Sequence, residues 1–194
     1  MPPGTRDALI DAATRLLDQG GVEAVTLREV GRLAGVSHNA PYKYFPSKEA
    51  LLAAIAAREL TARRDALDAT SRRGLAPEAV VRSVMRQYIA WVLAHPARFK
   101  LIYGKWSIDS AELGEAAHAA QEKLVEIVAA AQDAEALPPG DPVRLAALIR
   151  ALAHGAADLA AADHLAAGGK GHADPEDLVD DLLGYLRPGV PGRA

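Results

Sequence analysis

Residues 26–48 read TLREVGRLAGVSHNAPYKYFPSK, and this stretch decides the fold. Thr26 and Glu29 have the spacing of a capping box, in which the threonine hydroxyl takes the Glu29 N–H and the carboxylate returns to the Thr26 N–H. Leu27, Val30 and Leu33 fall on one helical face. Gly35 follows where a left-handed residue past a helix end costs glycine nothing. Ser37 is placed to cap a second helix, His38 to Phe45, which carries no acid and exposes His38, Asn39, Tyr42 and Lys43. Phe45 is its core residue, with Tyr42 and Tyr44 turned outward, and Ser47 caps a third helix that begins at Lys48. A helix, a glycine-containing turn and a donor-rich helix make a helix-turn-helix that reads duplex DNA. Lys48 supports this, because a cation in a first turn opposes the helix dipole unless an anion such as a phosphate lies there.

The remaining sequence predicts an all-α chain. Leu9, Ala12, Ala13, Leu16 and Leu17 form one stripe, so Arg6 to Gln19 is a helix with Thr5 as its cap and Gly20-Gly21 as its end. With the hairpin this gives a three-helix unit around Leu9, Leu16, Leu27, Val30, Leu33 and Phe45, closed by Val22 and Val25. A long helix from Lys48 to about Thr70 links it to a larger helical bundle. The bundle comprises helices at Pro77–His95, Pro96–Gly104, from Ser110 onward, 142–167 and 175–187. The domain boundary is set at residue 48, with 1–48 reading DNA and 49–194 binding an effector and dimerising.

Totals narrow the function. Cysteine is absent, so there is no disulfide framework or thiolate metal site. No run of about 18 apolar residues suggests a membrane span, and Arg6, Asp7 and Asp11 interrupt any secretory signal. A cytoplasmic protein is the expectation. Net charge is −3, but residues 1–64 hold nine Lys or Arg against seven Asp or Glu, so the basic excess lies with the DNA motif. His154 and Asp158 share a helix face, yet the sequence supplies no second paired ligand motif, nucleophile elbow or phosphate loop. No catalytic residue, metal or cofactor is expected. Tyr88, Trp91, Phe99, Ile102, Tyr103, Trp106 and His154 are the candidate lining of a pocket for a small apolar effector. The competing reading leaves the bundle for dimerisation or a protein partner alone.

The run Thr26-Leu27-Arg28-Glu29-Val30, then Ala34-Gly35-Val36-Ser37, then Ala40 to Leu52 resembles the DNA-binding domain of TetR-family transcriptional regulators. The resemblance implies that Thr26 and Arg28 lie at the DNA-facing end of the second helix. It also implies that Ser37 to Tyr44, including Ala40, form the recognition helix, and that Tyr42 and Lys48 hold phosphates. Tyr44 stands where the family often has histidine. HPARFKLIYG (95–104) and Ala153-His154-Gly155 resemble one C-terminal domain type of the family, with Arg150 where a tryptophan often stands. A homodimeric repressor on a palindromic operator, released by a small molecule, is what this resemblance implies.

Overall fold

A computed structural model describes residues 4–169 and 171–187. Among the described residues it is all helical: α1 Thr5–Ala24, α2 Leu27–Leu33, α3 Ala40–Tyr44, α4 Lys48–Ser71, α5 Pro77–Ala94, α6 Pro96–Ile102, α7 Ala111–Asp133, α8 Pro142–Ala161 and α9 Pro175–Leu186. Two compact units result, Met1–Ala62 with His95–Ala119, and Arg63–Ala94 with Ala120–Ala194. The division passes through α4 and α7.

In the first unit, α1 packs on α2, α3 and α6. Gly20 and Gly21 leave helical geometry inside α1, with Gly21 at φ 68°, so the glycine pair breaks the helix as expected. Thr5 is not the cap: Gly4 holds that position and Thr5 is the first helical residue. Leu9, Ile10, Leu17, Val25, Val30 and Phe45 are buried. Leu33 is 37 % exposed and Leu16 only half-buried, which corrects both as core residues. Leu33 is the last residue of the seven-residue α2, and Leu17, next to Leu16, takes the core position on α1.

Side-chain charges secure the same unit. Arg98 of α6 grips Asp18 of α1 through two bonds, at 2.9 and 2.6 Å, and reaches Glu59 of α4 at 3.2 Å. Asp18 first, and Glu59 with it, hold the Arg98 guanidinium above its ordinary pKa against the cost of burial. Arg58 of α4 ties to Asp11 and to the Thr14 hydroxyl of α1.

In the second unit α5, α8 and α9 pack on one another around Val81, Val84, Ile89, Ile149, Val179 and Leu183. Arg82 and Arg86 of α5 reach Asp180 of α9. The Asp177 carboxylate accepts the Asp174 N–H at 2.9 Å at the start of α9. α8 ends at Ala161, short of the expected 167. Asp163 adopts φ 58°, its N–H bonds the Ala160 carbonyl and the His164 N–H bonds that of Leu159. Those two bonds form a Schellman ending, with aspartate tolerating the left-handed conformation usually left to glycine.

Tyr88 of α5, 3 % exposed, lies with its hydroxyl 2.9 Å from Nδ1 of His154 on α8. Burial pushes the His154 pKa below its ordinary 6.5, Asp158 opposing and Arg150 reinforcing that shift. Burial thus favours the neutral ring in this pair, and the tautomer sets which of the two groups donates.

Two outcomes follow from this packing. A Cβ added to Gly31 of α2 would meet Cγ of Pro41 on α3 at 2.9 Å. Overpacking costs about 1–3 kcal/mol and alanine's helix propensity returns about 1. Gly31→Ala should therefore lower the thermal midpoint by about 2–4 °C, measured by circular dichroism. His154, with its folded pKa below its unfolded one, contributes full stability above pH 6.5 and loses it as the pH falls further. In His154→Gln, the decline of the thermal midpoint between about pH 7 and pH 5 should be shallower than in the parent.

Candidate nucleic-acid interface

The helix-turn-helix is built by three local devices. The Thr26 hydroxyl accepts the Glu29 N–H at 3.2 Å and starts α2. The Glu29 carboxylate does not return to the Thr26 N–H but takes Arg32 Nε at 2.8 Å, so only half of the expected capping box forms. An arginine one turn on offers a charge-assisted bond, stronger than a neutral amide. α2 then ends in a Schellman turn: Gly35, at φ 69°, donates to Arg32 and Val36 donates to Gly31.

α3 begins at Ala40, two residues later than expected, and Ser37 does not cap it with its hydroxyl. The reason lies in Pro41. A helix capped at Ser37 would take its first α-helical bond from the N–H of residue 41, which proline lacks. The Ser37 carbonyl instead accepts the Ala40 N–H at 2.9 Å, and His38 and Asn39 form the turn before the helix. Ser47 caps α4 as expected, its hydroxyl accepting the Ala50 N–H at 3.1 Å.

The predicted residues divide cleanly by exposure. Arg28, Ser37, His38, Asn39 and Lys43 are exposed, as are Thr26, Tyr42 and Tyr44, the two tyrosines at 53 % and 45 %. Ala40 and Lys48 are half-buried. Phe45 is buried at 2 % beneath the Arg6 guanidinium, so the expected split among the three aromatics holds. His38 and Tyr42 meet edge to face, with ring centres 6.1 Å apart. At the start of α4, Glu49 is held below its ordinary pKa by its own backbone N–H first, then by the Ser47 hydroxyl, with Lys48 adding attraction. Gly31 is the residue that sequence reasoning passed over. A glycine in mid-helix between apolar positions was the available signal, and here it lets Pro41 approach.

The candidate effector residues fall in two groups. Tyr88, Trp91 and His154 belong to the second unit, where the Arg63 guanidinium lies 4.5 Å from the Tyr88 ring centre and 4.9 Å from that of Trp91. Phe99, Ile102, Tyr103 and Trp106 belong to the first, with Phe99 and Tyr103 ring centres 5.2 Å apart. Phe99 and Ile102 are buried, Tyr103 is 41 % exposed, and the Trp106 indole N–H reaches the Ile102 carbonyl at 3.4 Å. Among the described residues no three His, Cys, Asp or Glu side chains are placed to share a metal ion. Nor is any described helix long and apolar enough to cross a membrane.

Residues 9–55 match the family described as bacterial regulatory proteins, tetR family, and residues 81–186 match the tetracyclin repressor-like C-terminal domain. The chain is 40 % identical over 86 residues to the transcriptional regulator BetI of Rhizobium meliloti, a match spanning 44 % of this chain and 42 % of that regulator. Its fold follows a structure from a Rhodococcus species whose function is unknown, with TM-score 0.82 and 31 % identity over 97 % of this chain and 96 % of that one. A Thermus thermophilus repressor, FadR, solved with lauroyl-CoA, shares the fold at TM-score 0.67 and 21 % identity over 97 % of this chain and 96 % of that one. With both the helix-turn-helix and more than half of the remaining length accounted for, the chain belongs to the TetR family of bacterial regulatory proteins.

Proposed function

We propose that this chain is a homodimeric, sequence-reading repressor of transcription, released from a palindromic operator by a small apolar effector. The observation that carries the DNA reading is the exposed run on and before α3. Ser37, His38, Asn39 and Lys43 stand open to solvent around a helix seated by the Gly31–Pro41 contact. His38 and Asn39 present donor and acceptor groups suited to base edges, while Tyr42 and Lys48 offer a hydroxyl and an ammonium to phosphates. Thr26 and Arg28, exposed at the start of α2, join this set, and Ala40 and Tyr44 complete the recognition helix. Residues 1–48 then read DNA, and 49–194 carry effector binding and dimerisation.

Support for dimerisation comes from two stripes of exposed and half-buried residues in the second unit. Leu148, 66 % exposed, shares one face of α8 with Leu152, Gly155 and Leu159, the last 47 % exposed. On α9 Leu178 and Leu182 share a face with Tyr185, which is 83 % exposed. Adjacent helices with apolar stripes turned to solvent suit a two-fold four-helix interface, and Gly155 would let the backbones approach. A dimer would also supply the second recognition helix that a half-site spacing of about 34–36 Å requires.

For the effector, the Thermus repressor was solved with lauroyl-CoA, an acyl chain on a polar carrier. In this chain the buried Tyr88 and the half-buried His154 supply polar tips among aromatic surfaces, as a site for such a molecule needs. Trp91 joins that pair within the second unit, while Phe99, Ile102, Tyr103 and Trp106 form a separate candidate group within the first.

Sequencing the genomic fragments retained by the purified protein identifies the operator, and gel-shift titration then tests the assignments. Lys48→Ala should weaken operator and random duplex alike and reduce the slope of log affinity against log salt by about 1. Asn39→Ala should instead change base preference by about 1–3 kcal/mol at one position. Operator affinity that survives a combined Tyr42→Ala and Lys48→Ala change overturns the DNA assignment. Leu148→Arg should give a monomer by light scattering with its thermal midpoint nearly unchanged, since the side chain is mostly exposed within one chain. A dimeric Leu148→Arg protein would place the interface elsewhere.

A further inference from the structure

Within the first unit a cavity of about 180 Å³ opens where the segment after the α1 kink, the start of α4 and the C-terminal end of α6 converge. Its walls are apolar: Val22, Leu52, Leu101 and the indole of Trp106. Lys100, Lys105 and Glu49 also line it, so two cations face one anion. Glu49 is the single carboxylate in that lining, so one of the two ammonium groups has no counter-charge within it. Lys100 and Lys105 are exposed, and the pair leaves an uncompensated positive charge beside an apolar chamber. None of Tyr88, Trp91 and His154 belongs to this chamber.

We propose that this chamber is a binding site for a small apolar carboxylate of single-ring size. Size and charge each narrow the class. A dry cavity of about 150 Å³ accommodates benzene, so this one holds a ring with one short substituent but not a long acyl chain. The ring would lie against Leu52, Leu101 and the Trp106 indole, and the carboxylate would point outward to the two ammonium groups. A neutral ligand of the same shape gains the apolar contacts but forgoes the charge-assisted bonds, which are about twice as strong as neutral ones. A carboxylate without an apolar body loses the larger share of the contact. Tyr88, Trp91 and His154 on α5 and α8 lie outside the chamber and Trp106 belongs to both candidate sets, so the Lys100 and Lys105 changes, which touch no residue of the other set, tell the two readings apart.

The chain has two tryptophans, so two indole N–H signals report on the intact protein. Nitrogen-15 NMR, with the Trp106 signal assigned through Trp106→Phe, reads the site directly. Benzoate should shift the Trp106 signal saturably, with a dissociation constant at or below about 1 mM. Benzamide and acetate should bind about tenfold more weakly, equivalent to about 1.4 kcal/mol. A combined Lys100→Gln and Lys105→Gln change should weaken benzoate by a similar factor while leaving the thermal midpoint unaltered, since both side chains are exposed. Val22→Phe should fill the chamber and abolish the shift; should that variant fail to fold, the lysine pair still decides. Absence of a saturable shift by about 10 mM benzoate, or equal affinity for benzoate and benzamide, or an undiminished affinity in the lysine variant, overturns the proposal.

Discussion

Every residue from Leu51 to Ala57 in α4 is buried, leaving that stretch of helix no solvent face. A helix apolar all round must be covered on every side. Ala53, Ala54, Ala56 and Ala57 make this possible, because side chains of one carbon let neighbouring backbones come close without leaving voids. The polar consequences lie at the margin of the buried stretch. Arg58 and Glu59 follow it directly, and both pair with charges carried by other helices, Arg58 with Asp11 of α1 and Glu59 with Arg98 of α6. Glu59 is only 8 % exposed, so without Arg98 a carboxylate would be left largely desolvated. The central helix thus dictates both the packing and the ion pairs of the unit that carries the helix-turn-helix.

This accounts for what could be read beforehand. The helix ends were legible wherever one residue type has a single physical use: Gly21 and Gly35 in left-handed turns, Ser47 at a cap, proline at the starts of α5, α6, α8 and α9. Where two residue types can serve, the reading slipped. Asp163 ended α8 in a conformation expected of Gly168-Gly169, and Ser37 used its carbonyl where its hydroxyl was expected. Periodicity located the buried face of α5 but misplaced Leu16 and Leu33, because a stripe does not say which of its positions a neighbouring helix covers. For α4 the stripe was loose for the opposite reason, since burial on all sides erases any contrast between faces.

The site was legible to the same degree. Tyr42 and Tyr44 outward with Phe45 inward followed from counting aromatics against the faces of one short helix. Gly31 could not be weighed in this way, since its use depends on Pro41, ten residues on and on another helix. Arg98 was hidden for the same reason: its partners Asp18 and Glu59 are 80 and 39 residues away along the chain. Long-range pairs leave no local pattern. The aromatic cluster was visible in composition, but its division between two contact units was not, because both groups lie close together in sequence around the α5–α6 junction.

Arg98 also gives the first unit a definite mechanical character. Its two bonds to Asp18 form a planar fork that tolerates little rotation, and its third reaches α4. A displacement of α6 within that unit must therefore either break charge-assisted bonds around a buried carboxylate or carry α1 with it. The first course strands Glu59, whereas the second asks only that packed surfaces slide. α1 lies against α2 and α3, so the helix that α6 would carry is the one on which the recognition helix rests. Charge and packing together make α1 an element through which strain at α6 would reach the surface proposed to read DNA, with coupling carried by rigid helices and named ion pairs rather than by proximity alone.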